Sequence, residues 1–162
     1  LIFISWNGIK SRLAEQGDLM RWVVIGDTGL FGSDMAQLLE GRGEQVLRYN
    51  RSNIDLEESS ERIANIFEQV DVIVNAVGYT QVDKAEQETY EANTVNAIYA
   101  GKLANVAALL GAKYFYISTD YVFDGLESSP YSVKAFTNFC KYGSLAIINV
   151  VMGICNFRAC CA

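Results

Sequence analysis

Three glycines spaced three apart, in Gly26-Asp27-Thr28-Gly29-Leu30-Phe31-Gly32, make up the stretch of this 162-residue chain with the plainest chemical use. The run lies between residues 22–25, which read as a strand, and residues 30–40, which read as a helix. Glycines let backbone N–H groups approach a pyrophosphate closely, and a helix start adds donors and a favourable dipole. A glycine trio alone is compatible with a plain tight turn. Placed after a strand and opening a helix, it predicts a dinucleotide site at Gly26, Thr28, Gly29, Leu30, Phe31 and Gly32. The end of the next strand selects between dinucleotides, since a carboxylate there holds a ribose 2′-hydroxyl and an arginine accommodates a 2′-phosphate. Here it reads Arg48-Tyr49-Asn50-Arg51-Ser52. With no carboxylate and two arginines, this end points to NADPH with Asn50 and Arg51 as cofactor residues, NADH left open and Arg51 as plain surface charge the competing reading.

Other chemistries are excluded or unsupported. The chain has no histidine, which removes Ser-His-Asp triads, Cys-His nucleophiles and histidine-ligated zinc. Asp and Glu are plentiful, but no spacing marks a metal site, so none is expected. Lys84 and Glu86 are two apart, do not share a helix face, and read as solvated. The 13 Lys and Arg against 19 Asp and Glu give a net charge of −6. Residues 20–125 carry the excess, with 8 basic and 16 acidic residues. That balance argues against a nucleic-acid partner, which needs a basic face. All four cysteines (Cys140, Cys155, Cys160, Cys161) cluster near the C-terminal end, unlike a disulfide framework, and read as reduced thiols. The longest apolar stretch, near residues 145–155, is well short of the ~20 residues of a membrane span. Lys10 and Arg12 follow rather than precede the apolar opening, the wrong order for a signal peptide. A cytoplasmic setting with no membrane partner is expected.

The elements that must position the glycine turn alternate. Residues 22–25, 45–49, 72–76 and 113–118 are short, apolar and rich in β-branched or aromatic residues, and read as strands. Helical periods fill residues 30–40, 57–69 and a long stretch at 84–110. Gly41, Gly43 and Gly111 sit where C-terminal caps belong. Alternation of this kind predicts an α/β fold, a Rossmann-type doubly wound parallel sheet with helices on both faces.

Beyond the glycine turn, two stretches are specific enough to carry a resemblance. Val74-Asn75-Ala76-Val77-Gly78-Tyr79-Thr80-Gln81-Val82-Asp83-Lys84-Ala85-Glu86 is close to VNAAAYTAVDKAE, and Tyr116-Ile117-Ser118-Thr119-Asp120-Tyr121-Val122-Phe123-Asp124-Gly125 is close to YISTDYVFDG. Both motifs belong to the dTDP-4-dehydrorhamnose reductase family, an extended branch of the short-chain dehydrogenases/reductases. The chain resembles that family over about residues 20–131, and Val95-Asn96-Ala97 fits the helix between the two motifs. The resemblance implies NADPH-dependent reduction of the 4-keto group of a dTDP-linked 6-deoxysugar. It implies that Asp55 faces the adenine, and that Ala76, Val77 and Tyr79 line the nicotinamide-ribose side. Asn96 becomes a structural residue near the cofactor and Thr119 the hydroxyl at the substrate carbonyl. Packing at the sheet edge is the plainer reading of Tyr79 and Tyr121, and a backbone hydrogen bond that of Thr119.

The family's acid is the tyrosine of Y-x-x-x-K. A free phenol titrates near ~10 and needs a neighbouring cation to work at neutral pH. Tyr142-Gly143 stands at the expected separation from Thr119, but Ala146 occupies the position of the lysine, and Lys141 would point elsewhere on a helix. Three segments are thus expected: a non-native or flexible extension at 1–19, the NAD(P)-binding domain at 20–131, and a divergent, frameshifted tail at 132–162, with no substrate domain. On this reading the chain is an inactive N-terminal part of a reductase. The alternative is a non-catalytic NADP-binding regulatory subunit resembling the β subunit of methionine adenosyltransferase. An epimerase or dehydratase of the same superfamily fits the two motifs less well. A homodimer is left open.

Overall fold

A computed structural model of the chain describes residues 19–117. Four strands, β1 (Arg21–Ile25), β2 (Gln45–Tyr49), β3 (Val72–Asn75) and β4 (Lys113–Tyr116), form one parallel sheet in the order β2-β1-β3-β4. The chain leaves β1 toward β2 on one side and returns to lay β3 on the other. The sheet therefore has a switch point between β1 and β3, where open α/β sheets hold their ligands at the carboxyl ends of the strands. Both faces of β1 are apolar, as a strand buried on two sides requires.

Val23 and Ile25 face α2 (Ser60–Phe67) and α5 (Ala100–Leu110), packing with Ile63, Phe67, Ile73, Leu103 and Val106. Trp22 and Val24 face α1 (Leu30–Glu40) through Ala36 and Leu39. Burying one such side chain contributes roughly 1.5–3 kcal/mol, so these two layers supply the main drive to fold. Ser59 caps α2 by accepting the Arg62 N–H at 3.3 Å.

The strands lie where the sequence places them, with β3 and β4 ending at Asn75 and Tyr116, short of the predicted 76 and 118. The expected helix at 57–69 starts only after its serine cap. The expected single helix at 84–110 is instead α3 (Val82–Ala85), a break at 86–88, α4 (Thr89–Asn93), a π-wound stretch (Thr94–Tyr99) and α5. Glu88 leaves helical dihedrals (φ −101°, ψ 46°), and its carboxylate accepts the hydroxyl proton of Tyr79. From Asn93 to Ala100 the dihedrals stay helical, so α4, the π stretch and α5 run on as one rod. Gly111, left-handed at φ 66°, ends it.

Residues 50–59 have no strand, yet Ile54 and Leu56 are buried against the α2/α5 layer. Lys102 on α5 holds this loop. Its ammonium donates to the carbonyls of Leu56 at 2.6 Å and Glu57 at 3.0 Å, across more than 40 residues of sequence. Lys102→Met keeps the apolar stem and removes both bonds. It is expected to cost about 1.5–3 kcal/mol, the range for hydrogen bonds to a charged group, in urea unfolding monitored by circular dichroism.

Candidate functional site

The glycine turn closes on itself at the end of β1. Gly26 adopts φ +88°, a left-handed conformation that disfavours any side chain, and donates its N–H to the Tyr49 carbonyl at 2.7 Å. The Gly26 carbonyl accepts the Gly29 N–H at 3.0 Å. A Cβ on Gly32 would stand 2.1 Å from the Gly26 carbonyl oxygen and 2.7 Å from its carbon. A Cβ on Gly26 would stand 3.0 Å from the Ala76 carbonyl carbon and 3.1 Å from the Val77 nitrogen. The first helical turn thus lies on the turn, and the turn lies on the loop after β3. Gly29 is the N-cap of α1, with no side-chain hydrogen bond and no acidic residue in the first turn. The opening N–H groups of a helix have no intrahelical partner, and no capping side chain takes them here. Thr28 and Leu30 are exposed, Phe31 is 41% exposed, and Gly32 is buried.

Asn50 and Arg51 stand beside this turn. The Asn50 side-chain amide donates to Asp27 at 2.9 Å, while its oxygen accepts the Ser52 N–H at 2.9 Å. Arg51 is exposed and makes no ion pair among the described residues. Arg48 is committed elsewhere: Nε donates to Glu40 at 2.8 Å and Nη2 to its second oxygen, which holds the Glu40 carboxyl below its usual range. Asp55 is exposed, with Oδ1 accepting the Glu57 N–H at 2.8 Å. Ala76, Val77 and Tyr79 follow β3 on the far side of the switch point. Asn96, in the π stretch, accepts the Tyr79 N–H at 2.8 Å and so fixes the β3 loop. Lys84 is exposed, as the sequence suggests. Thr119 and Tyr142 lie outside the described residues.

Several supporting residues escaped the sequence reading. Asn75 is fully buried at the end of β3, accepts the Val77 N–H at 3.0 Å and donates to the Tyr114 hydroxyl at 3.0 Å. The Tyr114 hydroxyl in turn donates a hydrogen bond to the Ala100 carbonyl at 3.0 Å, and Tyr116 donates to the Asn96 carbonyl at 3.0 Å. An amide ending the apolar run Val72-Ile73-Val74 was the one available signal. Burial pushes Tyr114 up and Tyr116 up to about 12, and the bond to Glu88 pushes Tyr79 up to about 12.

Folded phenols raised above the ordinary ~10 keep their protons after the unfolded chain has lost them. Their contribution is therefore whole below about pH 10 and is lost as pH rises through 10 toward 12. Urea midpoints should stay flat from pH 7 to 9 and fall steeply above 10, with part of the phenolate absorbance appearing only on unfolding.

A parallel sheet whose glycine turn opens a helix at the switch point defines a Rossmann-type α/β domain, a fold that holds its ligands at the switch point between the β1 and β3 loops. Residues 20–143 match the family described as RmlD substrate binding domain, and the chain belongs to that family. It is 37% identical to a dTDP-4-dehydrorhamnose reductase of Mycolicibacterium smegmatis over 70% of this chain and 35% of that protein. It is 41% identical to the one from Burkholderia thailandensis over 69% of this chain and 38% of that protein. Among solved structures, a dTDP-4-dehydrorhamnose reductase from Clostridium acetobutylicum superposes with a TM-score of 0.73 at 29% identity, covering 83% of this chain and 50% of that one. The Bacillus anthracis enzyme in complex with NADP superposes with a TM-score of 0.72 at 26% identity, covering 86% of this chain and 50% of that one. The chain thus spans little more than a third of these curated relatives and half of these solved ones. The relatives are oxidoreductases by name. No helix among the described residues is long and apolar enough to cross a membrane.

Proposed function

We propose that this chain is the NADPH-binding part of a reductase acting on a dTDP-linked 4-keto-6-deoxysugar, the chemistry named for its relatives. The observation that carries the reading is the contact of the Gly26 turn with Ala76 and Val77 at the switch point, with Gly32 packed so closely that no Cβ fits. On this reading Gly26, Thr28, Gly29, Leu30, Phe31 and Gly32 hold the pyrophosphate, Asn50 and Arg51 the adenosine ribose and Asp55 the adenine. Ala76, Val77 and Tyr79 border the nicotinamide ribose. NADPH supplies the hydride when bound, and NADH is its alternative. Thr119 orients the substrate carbonyl and the Tyr142 phenol protonates the oxygen that becomes the alcohol. A phenol does this at neutral pH only beside a cation, and Ala146 stands where the family's lysine would be. The 162 residues are therefore proposed to bind cofactor without turnover, in a cytoplasmic setting.

The test is paired on the purified chain. Titration with NADPH, followed by nucleotide fluorescence, should show saturable binding that Gly32→Val abolishes. Incubation with NADPH and dTDP-4-dehydrorhamnose should consume no NADPH. Absence of binding refutes the cofactor reading, and turnover refutes the inactivity. Ala146 also favours a second reading, a non-catalytic NADP-binding regulatory subunit, which predicts binding of cofactor and of a partner enzyme in the same assay series.

A further inference from the structure

The loop after β3 is held at alternate amides, and both holds trace back to β4. Asn75 accepts the Val77 N–H at 3.0 Å and donates to the Tyr114 hydroxyl at 3.0 Å. Asn96 accepts the Tyr79 N–H at 2.8 Å, and its amide donates back to the Tyr79 carbonyl at 3.5 Å. The Tyr114 hydroxyl donates to the Ala100 carbonyl and the Tyr116 hydroxyl to the Asn96 carbonyl, each at 3.0 Å. The spacings match. Residues two apart on a strand share a face and stand roughly 6.6 Å from each other, and residues four apart on a helix stand roughly 6 Å apart along its axis. The two rings pack on the buried Ala100 and Ala104, whose small side chains let the phenols come close enough to reach main-chain carbonyls. One of those carbonyls belongs to the π stretch, a winding found often at functional sites. The loop held in this way is the one against which the Gly26 turn lies, at Ala76 and Val77.

We propose that Tyr114 and Tyr116 are positioning residues for the nicotinamide half of the dinucleotide: through Asn75 and Asn96 they fix the Val77 and Tyr79 amides, and with them the wall of the switch point opposite the glycine turn. This rests on the cofactor reading above and adds to it two residues of β4 that act only through others. The two walls are set by different means. The glycine turn is fixed by backbone packed on backbone, with no room for a Cβ at Gly32. The β3 loop lacks such packing at its centre, where a Cβ on Gly78 would meet nothing nearer than Asn96 Oδ1 at 3.8 Å. Its shape is therefore carried by hydrogen bonds, and the phenols supply the far end of both sets. Losing a hydroxyl frees the asparagine behind it to turn, and the loop amide moves with it.

The test is equilibrium binding of NADPH and of 2′,5′-ADP, its adenosine half, to the full chain, wild type against Tyr114→Phe and Tyr116→Phe. Phenylalanine keeps each ring and its packing on Ala100 and Ala104 and removes only the hydroxyl. The wild type should bind NADPH more tightly than 2′,5′-ADP, because only NADPH extends to the β3 loop. Each variant should lose about three- to tenfold in NADPH affinity, the worth of one neutral hydrogen bond, and keep its 2′,5′-ADP affinity within about twofold. A merely structural role would not separate the two ligands. Tyr114 takes part in two hydrogen bonds and Tyr116 in one, so Tyr116→Phe decides should Tyr114→Phe not fold. Equal losses for both nucleotides, or none, overturn the proposal while leaving the cofactor reading intact, as does a wild type that binds the two equally. A wild-type chain that binds neither overturns both.

Discussion

Gly32→Ala should remove cofactor binding and destabilise the fold together. The added Cβ would lie 2.1 Å from the Gly26 carbonyl oxygen and 2.7 Å from its carbon, and both atoms are backbone held at the end of β1. No side chain can rotate away, so either the first turn of α1 moves off the glycine turn or Gly26 moves out of its bond to Tyr49. Ordinary overpacking costs about 1–3 kcal/mol, and a clash against two backbone atoms belongs at or above the upper end. For a domain near 100 residues that is roughly a 10–20 °C fall in melting temperature. NADPH affinity should fall at least about a hundredfold, near 2.7 kcal/mol, because the helix start and the turn no longer share one geometry. Gly43→Ala is the control. It has φ +82° but nothing within 4 Å of the added atom, so it should lose only the ~1–2 kcal/mol of left-handed backbone strain and bind NADPH unchanged. Equal behaviour of the two variants would show that glycine at 32 serves no close approach.

The contrast between these two glycines shows what could be read ahead of the structure. Four short apolar runs separated by helical periods leave a parallel sheet as the simplest solution, and β2 lies at residues 45–49 as expected. The glycine turn was legible for a related reason: its chemistry is backbone chemistry, and glycine spacing reports it directly. The long helix was misread because its interruptions come from contacts distant in sequence. Glu88 is turned out of helical dihedrals toward Tyr79, and Asn96 in the π stretch is engaged by the Tyr79 backbone and the Tyr116 hydroxyl. Periodicity along 84–110 holds no record of those partners. The same limit hid Lys102, whose bonds reach Leu56 and Glu57 in a loop with no strand or helix of its own.

Asn75→Leu should be the most costly single change that leaves the glycine turn itself untouched. Asn75 is fully buried among Val72, Ile73 and Val74, so apolar packing alone would favour leucine there. What it does instead is join three elements: it accepts the Val77 N–H after β3, and donates to Tyr114 on β4, which donates to Ala100 at the start of α5. Leucine leaves the Val77 N–H without its acceptor and the Tyr114 oxygen without its donor, at roughly 1–3 kcal/mol for each unsatisfied group. A total loss of about 2–6 kcal/mol is expected, with Tyr114→Phe costing less because phenylalanine keeps the packing. The two changes share one bond, so a double-mutant cycle should show coupling of about 0.5–3 kcal/mol. Asn75→Asp separates hydrogen bonding from shape. A buried carboxylate still accepts from Val77 but cannot donate to Tyr114, and burial raises its pKa above the ordinary ~3.9. A folded pKa raised in this way makes the variant lose stability as pH rises through the carboxyl range and recover it in acid, where a protonated carboxyl again supplies a donor. Relative to wild type, urea midpoints for Asn75→Asp should therefore be closer at pH 4 than at pH 7. A pH-independent deficit would mean that Asn75 serves only to fill space at the end of β3.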